Sequence, residues 1–140
     1  MAPITTSIYD AIILGAGPAG LSSALALARV RRSALVISHD TFRNDGVVAM
    51  HNILSRDGSI PHEYRRIARE QIESYGSGID FVEGEVVRLA KTTLSSGYQG
   101  FEAEDKDTRK WQSKKLVLAM GSKDIFPDIK GYAENWPDNM

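Results

Sequence analysis

The pattern of apolar and polar positions divides the beginning of the chain into strand, helix and strand. An apolar run at 9–14 leads into a glycine-rich turn, and a segment with helical spacing of Leu and Ala begins at Pro18. A second apolar run follows at 34–37. Two strands joined by a helix in this way lie parallel, so residues 9–38 are predicted to form a βαβ unit.

The rest of the chain shows a long loop, one more amphipathic helix and several short strands. Residues 39–60 have no regular period, and Pro61 begins a helix that is predicted to end near Tyr75. Apolar runs separated by polar turns then predict strands at 79–83 continuing into 85–89, 100–104, 110–113 and 116–119. The middle runs predict a small antiparallel β-meander, so the predicted fold class is α/β with a meander added.

The turn after the first strand is the strongest chemical signal in the sequence. A glycine at its start allows a sharp turn, the second lets a phosphate approach the backbone, and the third lets helix and strand touch. The helix that follows presents free N–H groups and the positive end of its dipole to an anion. We therefore predict a site for the pyrophosphate of a dinucleotide, formed by Gly15, Ala16, Gly17, Pro18, Ala19 and Gly20.

Composition narrows the classes of protein to which the chain can belong. Its 140 residues are 42% hydrophobic and 25% charged, with a net charge of −1, which is typical of one globular domain. The charge balance gives no reason to expect nucleic acid or a membrane as a partner, and the first residues lack the pattern of a secretory signal. We therefore expect a cytoplasmic location. The absence of cysteine excludes disulfides, thiolate metal sites and a dithiol redox centre within these residues.

In this order the motifs resemble the N-terminal part of thioredoxin reductase-like flavoproteins of the pyridine nucleotide-disulfide oxidoreductase class. The pattern is most similar to that of the fungal thioredoxin reductase-like enzymes of secondary metabolism, which include dithiol oxidases. The resemblance covers residues 9–136, and the segments that carry it are 15–21, 42–44, 50–54, 116–121 and 126–136.

The resemblance implies that the cofactor is FAD and that 9–122 is the N-terminal portion of a Rossmann-like FAD-binding domain. Residues 1–8 are then a tail and 123–140 a hinge or linker. It also implies that the segment after the second strand contacts the ribose and the flavin, that the long loop contacts the isoalloxazine, and that a backbone group contacts the adenine. These contacts fall on Ser38, Arg43, Asn44, His51, Asn52, Val87, Ala119 and Gly121.

Several of these residues keep a second interpretation. Arg43 either contacts the FAD phosphates or caps its loop. His51 is either a neighbour of the flavin or a solvated structural histidine, and we assign no catalytic residue. His39 and His62 have no ligand partner at metal-binding spacing, so no metal site is predicted.

The sequence also departs from the family pattern. Ser38 stands where a dinucleotide fold usually has an acidic residue, and Met120 stands where the family usually has threonine. The redox-active Cys-x-x-Cys and the nicotinamide-binding domain of the family have no counterpart in these residues. We therefore expect an incomplete domain, with NADP as a cofactor only if the missing domain is supplied.

Three functions remain open. The leading hypothesis is an FAD-binding segment of an oxidoreductase that moves electrons to or from a disulfide, a dithiol or a thioredoxin-like substrate, as a homodimer. A non-catalytic truncated product or subunit-like fragment is the first alternative. An NAD(P)-binding Rossmann domain is the second.

Overall fold

Six strands form one mixed sheet in the computed structural model of the chain, which describes residues 7–76 and 78–136. In chain order the strands are β1 (Ile8–Leu14), β2 (Ala34–Ser38), β3 (Ile79–Glu83), β4 (Val86–Thr93), β5 (Gln99–Asp105) and β6 (Lys110–Leu118). Their order across the sheet is β3-β2-β1-β6-β5-β4. The first four of these are parallel, and β5 and β4 continue the sheet antiparallel.

Two long helices and one short helix complete the secondary structure of the described residues. They are α1 (Pro18–Arg29), α2 (Pro61–Glu73) and α3 (Tyr132–Asn135). Both long helices begin at a proline, as predicted, because proline has no N–H to lose in a first turn and its φ is already helical. No helix in the described ranges combines the length and the apolar character needed to cross a bilayer.

The two central parallel strands, β1 and β2, are buried on both faces. On one face, Ile13 and Val36 pack with α1 and with Ile72 of α2. On the other face, side chains of the same two strands pack against Ala103 and Trp111 of the meander. The helices therefore cover one face of β1 and β2, and side chains of the meander, which belongs to the same sheet, cover the other. The predicted α/β fold with an antiparallel meander is confirmed.

Two predictions about strands were wrong. The run at 79–89 is not one strand, because the chain leaves β3 at Gly84 and enters β4 at the opposite edge of the sheet. Conversely, the predicted strands at 110–113 and 116–119 form the single strand β6, which ends one residue earlier than predicted, at Leu118. Its two central lysines do not interrupt it, since Lys114 Nζ lies 2.7 Å from Asp10 Oδ1 and Lys115 lies over the Tyr98 ring.

The predicted end segments are described only in part. Residues 1–6 and 137–140 lie outside the described residues. The described part of the predicted linker is irregular up to α3, which was not predicted. There Phe126, Tyr132 and Trp136 form an aromatic cluster, with ring centroids 5.7–6.5 Å apart.

A buried carboxylate joins the meander to the end of β3. Asp105 is 1% exposed, and its carboxylate accepts hydrogen bonds from the backbone N–H of Asp107 and of Arg109, and from Arg109 Nε at 2.7 Å. Arg109 Nη2 in turn donates to the carbonyl oxygen of Glu83 at 2.8 Å. This network fixes the turn at Gly84, where a Cβ would meet the Arg109 guanidinium and the Asp105 carboxylate.

We expect Asp105→Asn to lower the free energy of unfolding by about 2–3 kcal/mol, because the buried carboxylate that accepts these hydrogen bonds loses its charge and one of its acceptor oxygens. Urea denaturation followed by circular dichroism measures the change. Asp107→Asn is the matched control, since Asp107 is exposed and lies 3.7 Å from the same guanidinium. An equal loss in both variants would contradict the role given to Asp105.

Candidate functional site

A cleft opens at the edge of the sheet where the four parallel strands end. The backbone ladder continues past these ends, with Gly15 N–H donating to Ile37, Ala119 N–H to Leu14 and Gly84 N–H to Ser38. The cleft has a volume of about 1090 Å³. It lies outside the carboxyl ends of the strands, and the strand order reverses there between β1 and β6, which is where open α/β sheets bind ligands.

Two glycines of the turn after β1 are required by the protein itself. Gly15 has a φ of +102°, and a Cβ at this position would collide with the carbonyl oxygen of Ala119. A Cβ at Gly20 would collide with the carbonyl oxygen of Gly15 and press on Ile13. The predicted roles of these glycines, a sharp turn and a close contact between helix and strand, are confirmed.

Gly17 differs from the other two glycines. Its φ of −76° and ψ of −176° are extended backbone that any residue adopts, and no atom lies within 4 Å of the position of a Cβ. No side chain caps the start of α1, and no acidic residue lies in its first turn. Free N–H groups of this turn therefore lie at the cleft beside space that a side chain at Gly17 would fill. The arrangement suits an anion that approaches the backbone closely.

Most of the predicted site residues line this one cleft, although they come from four separate parts of the sequence. Gly20 lies beneath it, at the contact between α1 and β1. The lining residues that were predicted are Gly15, Ala16, Gly17, Pro18, Ala19, Ser38, Arg43, Asn44, Val87, Ala119 and Gly121.

His51 and Asn52 do not line the cleft. They belong to a loop closed by a bridge between Met50 and Ser59 and organised by Asp57. The Asp57 carboxylate accepts the backbone N–H of Asn52 at 2.9 Å and lies 3.2 Å from His51 Nδ1. The hydrogen bond from Asn52 N–H and, to a smaller extent, the contact with His51 hold the pKa of the Asp57 carboxyl below its usual range. Through their contacts with Asp57, His51 and Asn52 therefore both have a structural role in this loop.

Arg43 is engaged by a residue that sequence reasoning missed. Its Nε and Nη2 each lie 2.9 Å from a different carboxylate oxygen of Asp124. Hydrogen bonding to this carboxylate, reinforced by its charge, raises the pKa of Arg43 above its ordinary value. Because Asp124 also lines the cleft, the pair joins two walls of the site.

Other lining residues were also missed by sequence reasoning. Met120 and Trp136 add apolar surface to one side, and Arg88 adds a cation that is paired with Glu104 at 3.4 Å. The position of Met120, two residues after the end of β6, was a usable signal, because strand ends meet at this edge. No local pattern placed Trp136 there, since it reaches the cleft through the fold of the preceding irregular segment.

Comparison with known proteins identifies relatives of the chain. The family described as pyridine nucleotide-disulphide oxidoreductase matches residues 9–140. Thioredoxin reductase tcpT of Claviceps purpurea is 43% identical over 133 residues, which are 94% of this chain and 40% of that protein. Thioredoxin reductase sirT of Leptosphaeria maculans is 37% identical over 134 residues, covering 93% of this chain and 39% of that protein.

A solved structure extends the likeness to the fold. The oxidoreductase from Agrobacterium tumefaciens is 36% identical and superposes with a TM-score of 0.84, over 94% of this chain and 43% of that one. The chain therefore spans about two-fifths of the length of the proteins it matches. The predicted Rossmann-like fold and the predicted resemblance to thioredoxin reductases are confirmed.

The two kinds of glycine in the turn predict different costs of substitution. We expect Gly20→Ala to lower the free energy of unfolding by about 1–3 kcal/mol, because the added methyl group collides with backbone that cannot move freely. Gly17→Ala is the matched comparison and should cost less than about 1 kcal/mol, since its methyl group enters open space. Urea denaturation measures both, and equal losses would contradict the distinction.

Proposed function

This chain belongs to the pyridine nucleotide-disulphide oxidoreductase family, and we propose that it binds FAD in the cleft at the carboxyl edge of its parallel strands. The observation that carries the proposal is the unused space at Gly17. Packing within the protein does not require a glycine there, because a Cβ would meet no other atom. A pyrophosphate, in contrast, can contact the backbone closely only where no side chain lies between them.

The pairing of charges around the cleft supports binding of the pyrophosphate by backbone N–H groups. The two arginines that line it are already paired, Arg43 with Asp124 and Arg88 with Glu104. The first turn of α1 offers N–H groups and the positive end of the helix dipole instead. We assign the phosphate contacts to the amides of Gly17 and Ala19.

The size and walls of the cleft fit a ligand longer than a mononucleotide. Its volume of about 1090 Å³ lies at the upper end of the range for small-molecule sites. We assign the ribose to the hydroxyl of Ser38, the adenine to the backbone at Val87, and the flavin end to Asn44, Ala119 and Gly121. Within this assignment Ser38 hydrogen-bonds more weakly than the usual carboxylate would.

Bound FAD would supply the electron transfer, and the residues of this chain would bind and orient it. For the whole protein we propose flavin-mediated electron transfer to or from a disulfide, a dithiol or a thioredoxin-like substrate, as the names of the relatives suggest. The 140 residues contain no cysteine, so no catalytic residue is assigned within them.

One observation favours a second candidate function, an FAD-binding part that works together with another polypeptide. Apolar side chains beyond the end of β6 are exposed without lining the cleft, among them Ile125 and Ile129. Exposed apolar surface of this kind is typical of contact with further protein. Sedimentation of the chain alone tests this candidate, because uncovered apolar surface should make the free chain self-associate; a stable monomer would contradict it.

We expect the purified chain to bind FAD more tightly than NADPH, and ADP to compete with FAD more effectively than riboflavin does. Gly17→Val should weaken FAD binding by about tenfold or more, because the side chain displaces the phosphate from charge-assisted hydrogen bonds. Quenching of flavin fluorescence during titration measures each affinity.

Gly78→Val is the matched control, because Gly78 also lacks a positive φ and the nearest atom to its Cβ position is the carbonyl oxygen of Arg32, at an ordinary contact distance of 3.7 Å. Gly78 directly precedes β3 and does not line the cleft. The Gly78→Val variant should bind FAD with the same affinity as the unmodified chain. Tighter binding of NADPH, or equal affinity of both variants for FAD, would refute the proposed site.

A further inference from the structure

We propose that Arg43 and Asp124 form a strap across the cleft, that Arg65 anchors the strap to α2, and that the strap slows the release of FAD. The part that concerns FAD rests on the function proposed above. The existence of the strap is a property of the chain alone.

The strap is a pair of parallel hydrogen bonds between distant parts of the chain. Arg43 lies in the loop between β2 and α2, and Asp124 follows β6. Nε and Nη2 of the arginine each lie 2.9 Å from their own carboxylate oxygen. This two-point contact fixes the relative angle of the two segments as well as their distance, which a single ion pair does not.

Arg65 holds the turn that carries Arg43. Its side chain is 18% exposed, and its guanidinium carbon lies 3.8 Å from the centre of the Phe42 ring. Nη1 donates to Asn44 Oδ1 at 3.2 Å, and Nη2 donates to Asp45 Oδ1 at 3.1 Å. The other oxygen of Asp45 accepts the backbone N–H of Phe42 at 2.7 Å. The guanidinium therefore contacts the turn on both sides of Arg43 and leaves that side chain free to reach Asp124.

The strap also holds the segment that follows β6. Among the hydrogen bonds of the described residues, those that Asp124 accepts from Arg43 join segment 120–136 to a distant part of the chain. The backbone hydrogen bonds within this segment are local, such as the one from Ile129 N–H to the carbonyl oxygen of Pro127. This segment carries Met120 and Trp136, which line the cleft. Loss of the pair would therefore release one wall of the site.

A joined pair of walls slows the release of a ligand that lies between them. Arg43 and Asp124 both line the cleft, so walls that they join cannot separate until their hydrogen bonds break. Because the Arg43 charge is already paired, we infer that Arg43 acts through Asp124 and is a positioning residue, with no direct phosphate contact required.

The test uses three forms of the full chain: Arg43→Gln, Asp124→Asn, and the double variant that exchanges the charges, Arg43→Asp with Asp124→Arg. Hydrogen exchange of the amides in segment 120–136, measured without FAD, reports the strap itself. The rate of FAD release after dilution reports its effect on the cofactor. We expect each single variant to raise both rates by about threefold or more and the exchanged pair to return both toward the original values.

Glu73→Gln is the control for loss of an exposed ion pair, because Glu73 pairs with Arg69 on α2 at 2.8 Å and does not line the cleft. It should change neither rate. Arg65→Lys should raise hydrogen exchange at 42–45 and FAD release together, because lysine cannot donate in two directions at fixed angles. Unchanged exchange at 42–45 in this variant would overturn the anchor.

Unchanged exchange in both single variants would overturn the strap. Faster FAD release in Arg43→Gln that the exchanged pair does not reverse would also overturn it, in favour of a direct contact between Arg43 and phosphate. If the unmodified chain binds no FAD, the proposed function fails, and the exchange measurements still decide whether the strap exists.

Discussion

The close contact between α1 and β1 is the constraint on which the rest of the structure depends. Because Gly20 has no side chain, the helix lies directly against the carbonyl oxygen of Gly15, and Gly15 can turn there only because it tolerates a positive φ. This contact sets the first turn of α1 at the end of the central strand. The free amides of that turn therefore lie at the cleft, where strands from both sides of β1 end.

The rest of the fold forms the remaining walls around that point. Side chains of β5 and β6 pack against the face of β1 and β2 opposite the helices, and the buried carboxylate of Asp105 fixes where the chain crosses from β3 to β4. The wall that contains Val87 begins at this crossing. On the other side, the pairing of Arg43 with Asp124 brings in the segment after β6. The Asp105 network and the Arg43–Asp124 pair therefore determine where residues of the site lie, although both consist only of contacts within the chain.

Sequence reasoning succeeded where local physics decides the outcome. The start of α1 at Pro18 and the turn at Gly15 follow from the backbone preferences of single residues, and the burial of β1 and β2 follows from their apolar runs. It failed where the outcome depends on distant partners. The end of β3 at Gly84 depends on Arg109, and the continuity of β6 through two lysines depends partly on Asp10. The proposed contacts of Val87 and Gly121 came from the family resemblance and from no local sequence pattern.

The most direct test of the central claim is a two-dimensional amide NMR titration of the isotopically labelled chain with FAD. If the first turn of α1 holds the pyrophosphate, the largest shifts fall on the amides of Gly17, Ala19 and Gly20, and ADP reproduces them while riboflavin does not. Binding that leaves these amides unshifted, or that shifts them equally with riboflavin, would show that the glycine turn is not the phosphate site.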